Sequence, residues 1–90
     1  MKIIINADDF GADNYTNKKI LQCIESENIS STSWIANGDG FDDALSIFND
    51  KKILFDSKNI SNGVHLNLVE HKPLTRKIDL EPILNRDGEF

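Results

Sequence analysis

Two adjacent carboxylates, Asp8 and Asp9, end the apolar run Ile3-Ile4-Ile5 and are followed at once by Phe10 and Gly11. A buried parallel strand reads as such an apolar run, and the carboxyl ends of parallel strands are where α/β sheets and barrels carry their chemistry. A pair of acids can also serve as a helix N-cap with a first-turn acid behind it. That role fits poorly here, because Phe10, Gly11 and Ala12 intervene before the helical pattern, and Asp13 or Asn14 is better placed as the cap. Like charges side by side repel unless a cation lies beside them, so the pair points to a divalent metal.

A second signal lies in Asn62-Gly63-Val64-His65-Leu66-Asn67-Leu68. Side chains on a strand switch faces at every residue, so Val64, Leu66 and Leu68 share one face and His65 with Asn67 the other. A histidine alone in a strand is commonly a hydrogen-bonded structural residue. Beside Asp8 and Asp9 at a neighbouring strand end it becomes a candidate ligand, since imidazole and carboxylate together suit zinc or a related divalent ion.

Ninety residues with 39% hydrophobic side chains describe one small domain with a modest core. The net charge of -5 argues against a nucleic-acid surface. Cys23 stands alone, so no intrachain disulfide forms and a reducing compartment is expected. The amino terminus lacks the apolar length of a secretory signal, and no apolar stretch approaches membrane-spanning length. The expected location is therefore cytoplasmic, with no membrane partner.

Positioning these groups falls to a strand over residues 2–7, a helix from 14 to about 27 with Ile20, Leu21 and Ile24 at helical spacing, and a strand over 31–36. Asn37-Gly38-Asp39-Gly40 breaks the chain before a second helix marked by Phe41, Ala44, Leu45 and Phe48, whose start Asp39 can cap. Residues 50–59 are open between helix, strand and loop. A third strand spans about 60–68, and beyond Pro73 and a mixed-charge stretch residues 80–84 form a short helical turn. Strand, helix, strand, helix, strand is the pattern of βαβ units and a parallel sheet with right-handed crossovers. A (β/α) barrel typically needs ~250 residues, so the chain reads as the beginning of a larger α/β domain, a fragment or truncated copy.

Ile5-Asn6-Ala7-Asp8-Asp9-Phe10-Gly11, Ser31-Thr32-Ser33, Asn37-Gly38, Gly63-Val64-His65-Leu66-Asn67-Leu68, Pro73-Leu74 and Asp87-Gly88-Glu89-Phe90 follow one another in one order and spacing. Together they resemble the amino-terminal part of the YdjC-like carbohydrate deacetylases, the group that includes chitooligosaccharide deacetylase. The resemblance runs along essentially the whole chain. It implies the βαβαβ portion of a distorted (β/α) barrel of the polysaccharide-deacetylase type, holding a divalent metal, Mg or Zn, at the carboxyl ends of the strands. It implies removal of N-acetyl groups from acetylated amino sugars or chitooligosaccharides, by metal-assisted attack of water on the amide. Asp9 and His65 then correspond to metal ligands and Asp8 to the general base. Spacing alone does not say which of the two aspartates faces the ion.

A third ligand of the family, a histidine in a D-S-H-x-H-like segment further on, has no counterpart in these ninety residues, so the chain by itself is expected to be inactive. His71 lies an even number of residues from His65 but past the expected end of the strand, and reads as a solvent-exposed loop histidine. Asn37 and Asn67 are candidate sugar-contacting groups or structural amides that satisfy turns. The resemblance further implies a homodimer, with an acetylated oligosaccharide as substrate.

Two other readings share parts of the pattern. A noncatalytic remnant would keep the half-site and lack the rest. A receiver-type signalling domain also ends its first strand on an acidic pair that binds magnesium. It requires a phosphorylatable aspartate at the end of the third strand, where this chain has His65 and Asn67.

Overall fold

The computed structural model describes residues 2–75 and 80–90. Three strands, β1 (Asn6–Phe10), β2 (Ser31–Trp34) and β3 (Ser61–Val64), form a parallel sheet in the order β1-β2-β3. Between them run α1 (Asn14–Glu25), α2 (Phe41–Asp50) and α3 (Lys52–Ser57), and a 3₁₀ turn covers Glu81–Ile83. The α/β class and parallel sheet expected from the sequence are present. The last residues of the mixed-charge stretch, 76–79, lie outside the described residues.

α1 starts where its cap can form: the Asp13 carboxylate accepts from the Thr16 amide at 2.6 Å. Those Thr16 bonds hold the Asp13 carboxyl below its ordinary 3.8. α2 is different from expectation. Gly40, not Asp39, occupies its N-cap position without a side-chain bond, and Asp42 and Asp43 supply first-turn charge instead. The undecided stretch 50–59 is largely the helix α3, because Leu54 and Phe55 have a core to enter.

Among the described residues the helices pack on one face of the sheet. Phe10, Ile20, Ile24, Ala44, Phe55 and Ile60 form the core, with Ala7, Trp34, Ile47, Phe48 and Leu54 packed against it. Its aromatic centre is close: the Phe10 and Trp34 rings meet edge to face with centroids 4.5 Å apart, and Phe48 meets Phe55 at 5.1 Å. Leu45, expected on the buried face of α2, is exposed, and Cys23 is half-buried on α1. The other sheet face carries Asn6, Asp8, Ser31 and Ser33, tied to one another by hydrogen bonds.

All three strands differ in their bounds from the sequence reading, and β2 ends at Trp34 where the strand was expected to reach residue 36. The apolar residues Ile3, Ile4 and Ile5 precede β1 and are exposed; the paired register starts at Asn6 and Ser31, and the backbone contact reaches back to Ile5, whose carbonyl accepts from the Ser30 amide at 2.9 Å. β1 therefore runs through the aspartates. β3 stops at Val64, although the His65 amide still donates to the Trp34 carbonyl at 2.9 Å. Asn67 consequently lies in a loop, and Val64, Leu66 and Leu68 are exposed while His65 and Asn67 are half-buried.

The loops after β1 and β2 touch backbone to backbone. Gly40 donates to the Gly11 carbonyl at 3.0 Å, and a Cβ on Gly38 would lie 2.0 Å from that same oxygen. Glycine is required there by space alone.

Phe10→Ala should lower unfolding free energy by about 3–5 kcal/mol in urea titrations, as the aromatic centre loses its middle ring. Asp13→Ala should lower the melting temperature at neutral pH. Because the folded-state pKa is depressed, the cap contributes above 3.8 and is lost as pH falls through the lower folded value, so wild type and variant should converge in acid.

Candidate metal centre

The site is made by an irregularity in β1. Ala7 pairs with Thr32 and Phe10 with Trp34, so Asp8 and Asp9 together oppose the single residue Ser33. Strict alternation from Ala7 would send Asp9 into the core and Phe10 out of it. The extra residue returns Phe10 to the core face and leaves both carboxylates off it. Asp9 accommodates the bulge with φ 74, a left-handed conformation uncommon outside glycine. Gly11 follows at φ 105 in a turn closed by the Ala12 amide on the Asp9 carbonyl, 3.0 Å.

Asp8 is fastened through one oxygen. Its Oδ1 accepts from the Asn6 amide at 2.8 Å and the Ser33 hydroxyl at 3.0 Å, and Ser31 in turn donates to Asn6 at 2.7 Å. This polar ladder orients Asp8 across the open face of the sheet. Asp9 turns instead towards β3, where its Oδ1 lies 3.1 Å from Nδ1 of His65. The pair is partly accessible, with 35% of the His65 side chain and 49% of the Asp9 side chain exposed.

The His65 Nδ1 atom itself is shut off from solvent and makes no hydrogen bond of acceptable geometry, in spite of its nearness to Asp9. The two atoms approach without facing each other as donor and acceptor. Bonds of about 2.0–2.2 Å at a tetrahedral angle put neighbouring ligand atoms ~3.3 Å apart, so the spacing and the orphaned nitrogen both fit two ligands of one cation. Among the described residues no cluster of three or more His, Cys, Asp and Glu side chains could hold a metal.

His71 does not join the pair. Its side chain is only 20% exposed, contrary to the exposed loop residue expected, and its Nδ1 faces the Asp39 carboxylate at 3.8 Å. Asn37 and Asn67 hold the rim. Asn37 donates to the Glu70 and Lys72 carbonyls at 3.2 and 3.0 Å, and Asn67 donates to Asn37 at 3.2 Å and to the Glu70 carbonyl at 2.8 Å while accepting from the Val69 and Glu70 amides. They line a cavity of about 300 Å³ beside His65, walled by Leu66, Leu74 and Phe90.

Asn17 was not among the residues singled out from the sequence, and Ser33 was named only within Ser31-Thr32-Ser33, with no role of its own. Asn17 lies three and seven residues before Ile20 and Ile24, on the same helical stripe, and a polar residue on a buried stripe is a legible signal. Ser33 alternates with Thr32 as Asp8 does with Ala7, but its pairing depends on register.

The chain matches the model of the YdjC-like protein family over residues 2–90. It belongs to the YdjC-like family. It is also similar to a crystal structure of a protein from Enterococcus faecalis V583 provisionally described as a cellobiose-phosphate cleavage protein, with a TM-score of 0.75 and 26% sequence identity. The match covers 97% of this chain and 32% of that one, so the chain spans about a third of that relative's length.

If the bulge holds Asp9 left-handed, Asp9→Gly should be more stable than Asp9→Ala by about 1–2 kcal/mol, since glycine carries no penalty at positive φ. Thermal unfolding of the two variants checks this, and equal stability would place Asp9 in ordinary extended backbone.

Proposed function

We propose that this YdjC-like chain carries the base and two metal ligands of a metal-dependent hydrolase that removes N-acetyl groups from acetylated amino sugars or chitooligosaccharides. The observation that carries the reading is the approach of Asp9 Oδ1 to the buried, unpartnered Nδ1 of His65. In this reading the strands belong to a distorted (β/α) barrel of the polysaccharide-deacetylase type, a fold that the consecutive parallel order and one-sided helices support. A carbohydrate substrate is supported by the family resemblance and by the provisional description of the Enterococcus faecalis protein.

Asp9 and His65 would hold a divalent cation, magnesium or zinc. When bound, such an ion lowers the pKa of its water towards neutrality and polarises the carbonyl of the amide. Asp8 is the general base. With Oδ1 fixed by Asn6 and Ser33, it presents its other oxygen to the open face, where it takes the proton from the attacking water. Asn37 and Asn67 hold the wall beside His65, against which a sugar ring would rest; their amide hydrogens are donated within the loops, so they would shape that wall.

Asp8→Asn should leave metal affinity nearly intact in calorimetric titrations with zinc or magnesium, whereas Asp9→Ala and His65→Ala should each weaken it strongly. In an enzyme carrying these residues, Asp8→Asn should cut acetate release from an N-acetylated disaccharide by about 10²–10⁴-fold. If Asp8→Asn lost the metal and Asp9→Asn kept it, the two roles would be exchanged. Cleavage of a phosphorylated disaccharide with no acetate release would overturn the deacetylase reading altogether.

A further inference from the structure

Asn17 takes no part in the chemistry just described, yet its side chain is completely buried among the described residues. The amide is nevertheless well supplied with partners. Its Oδ1 accepts from the Gly11 amide at 2.7 Å, and its nitrogen donates to the Gly40 carbonyl at 2.8 Å and to Asp43 Oδ2 at 3.0 Å. Both amide hydrogens and one lone pair are therefore used. One side chain on α1 thus grips the loops that leave β1 and β2.

Each loop leads to one member of the candidate pair. Gly11 belongs to the turn that begins at Asp9, closed by the Ala12 amide on the Asp9 carbonyl. Bonding the Gly11 amide fixes the turn that follows the bulge. On the other side, Gly40 ends the loop that carries Asn37, and Asn37 bonds Glu70, Lys72 and Asn67, the segment that follows His65. A chain of amide bonds therefore runs from the far side of Asp9 to the far side of His65.

We infer that Asn17 is a positioning residue for Asp9 and His65, acting through the Gly11 turn on one side and through Gly40, Asn37 and Asn67 on the other. This rests on the proposed pairing of Asp9 with His65 as ligands. A purely structural role would lower stability when Asn17 is replaced and leave the pair where it is. A positioning role moves the pair while the aromatic core persists.

The test compares Asn17→Ala and Asn17→Ser with Thr32→Val, which deletes the bond from the other buried polar residue among those described, Thr32 Oγ1 to the Ala7 carbonyl at 2.8 Å. Nuclear Overhauser contacts between the Asp9 β-protons and the His65 ring report the pair without any metal, and amide exchange reports Gly11 and Ala12. In both Asn17 variants the contacts between Phe10 and Trp34 should remain, the Gly11 and Ala12 amides should lose protection, and the Asp9 contact with His65 should disappear. Zinc affinity should fall by about 10–100-fold, the usual effect of disturbing the support of a ligand. Thr32→Val should lower the melting temperature and change none of these. An intact Asp9–His65 contact in the Asn17 variants overturns the inference. So does loss of all dispersed signals in both of them while Thr32→Val folds, which would assign Asn17 to global stability. A wild-type chain that shows the contact and binds no zinc would sink the metal reading instead, and the contact and exchange data would still decide the role of Asn17.

Discussion

One additional residue in β1 governs the site. The core needs both Ala7 and Phe10 on the helix-covered face, and a regular strand cannot place residues three apart on one side. Opposing Asp8 and Asp9 to Ser33 alone reconciles the two demands. The bulge then does three things together: it keeps the Phe10 ring against Trp34, it leaves Asp8 facing Ser33, and it swings Asp9 to His65. A left-handed Asp9 is the local cost, and it is kept low by a residue type that tolerates positive φ better than most. Packing of an aromatic core and aim of two carboxylates are one structural fact.

The loops that finish the site are held by amides more than by apolar contacts. Asn17, Asn37 and Asn67 join the segments after β1, β2 and β3, and glycines at 11, 38 and 40 let the first two approach to hydrogen-bond distance. Such bonding is directional, whereas apolar burial is not, so it fixes where a loop sits as well as that it is packed. The rim beside His65 can therefore keep its shape although Leu66, Leu68 and Leu74 on it are largely exposed. Within the sheet, Thr32 bonds the carbonyl of Ala7, the residue it already pairs with in the ladder.

Much of this was legible in the chain. The alternation of strands and helices outside residues 50–59, a cap at Asp13 or Asn14, the helical stripe of Ile20 and Ile24 and the placing of His65 opposite in facing to Val64 all follow from period and residue type. What was not legible depends on a partner distant in sequence. Ile3-Ile4-Ile5 has the composition of a buried strand, but a strand exists only where a neighbour offers a ladder, and the paired register starts at Asn6 and Ser31. The bulge is invisible because an acid pair looks the same whether it follows a strand or interrupts one. The segment after His65 alternates like a strand through Leu68, and loses the ladder because Asn67 folds back on the Val69 and Glu70 amides. His71 looked like a surface residue because the groups it meets, Asp39 and the Phe90 amide, lie thirty-two and nineteen positions away in the chain.

The separation of labour proposed for the two aspartates rests on what each can reach. Asp8 stands on the face of the sheet between Asn6 and Ser33, both neutral donors that orient a carboxylate without competing for a proton. Asp9 has left that ladder and meets an imidazole nitrogen that nothing else satisfies. Asp8 keeps one oxygen in two hydrogen bonds and Asp9 keeps its Oδ1 beside His65, and the proposed roles rest on that difference. In the proposed reaction the base is thus the residue that the sheet orients, and the ligand is the residue that the bulge releases. Acid pairs on regular strands lack this division, because alternation sends one carboxylate to each face. The insertion of a single residue would thus allow two adjacent acids to serve the same side of one sheet in the two capacities proposed for them.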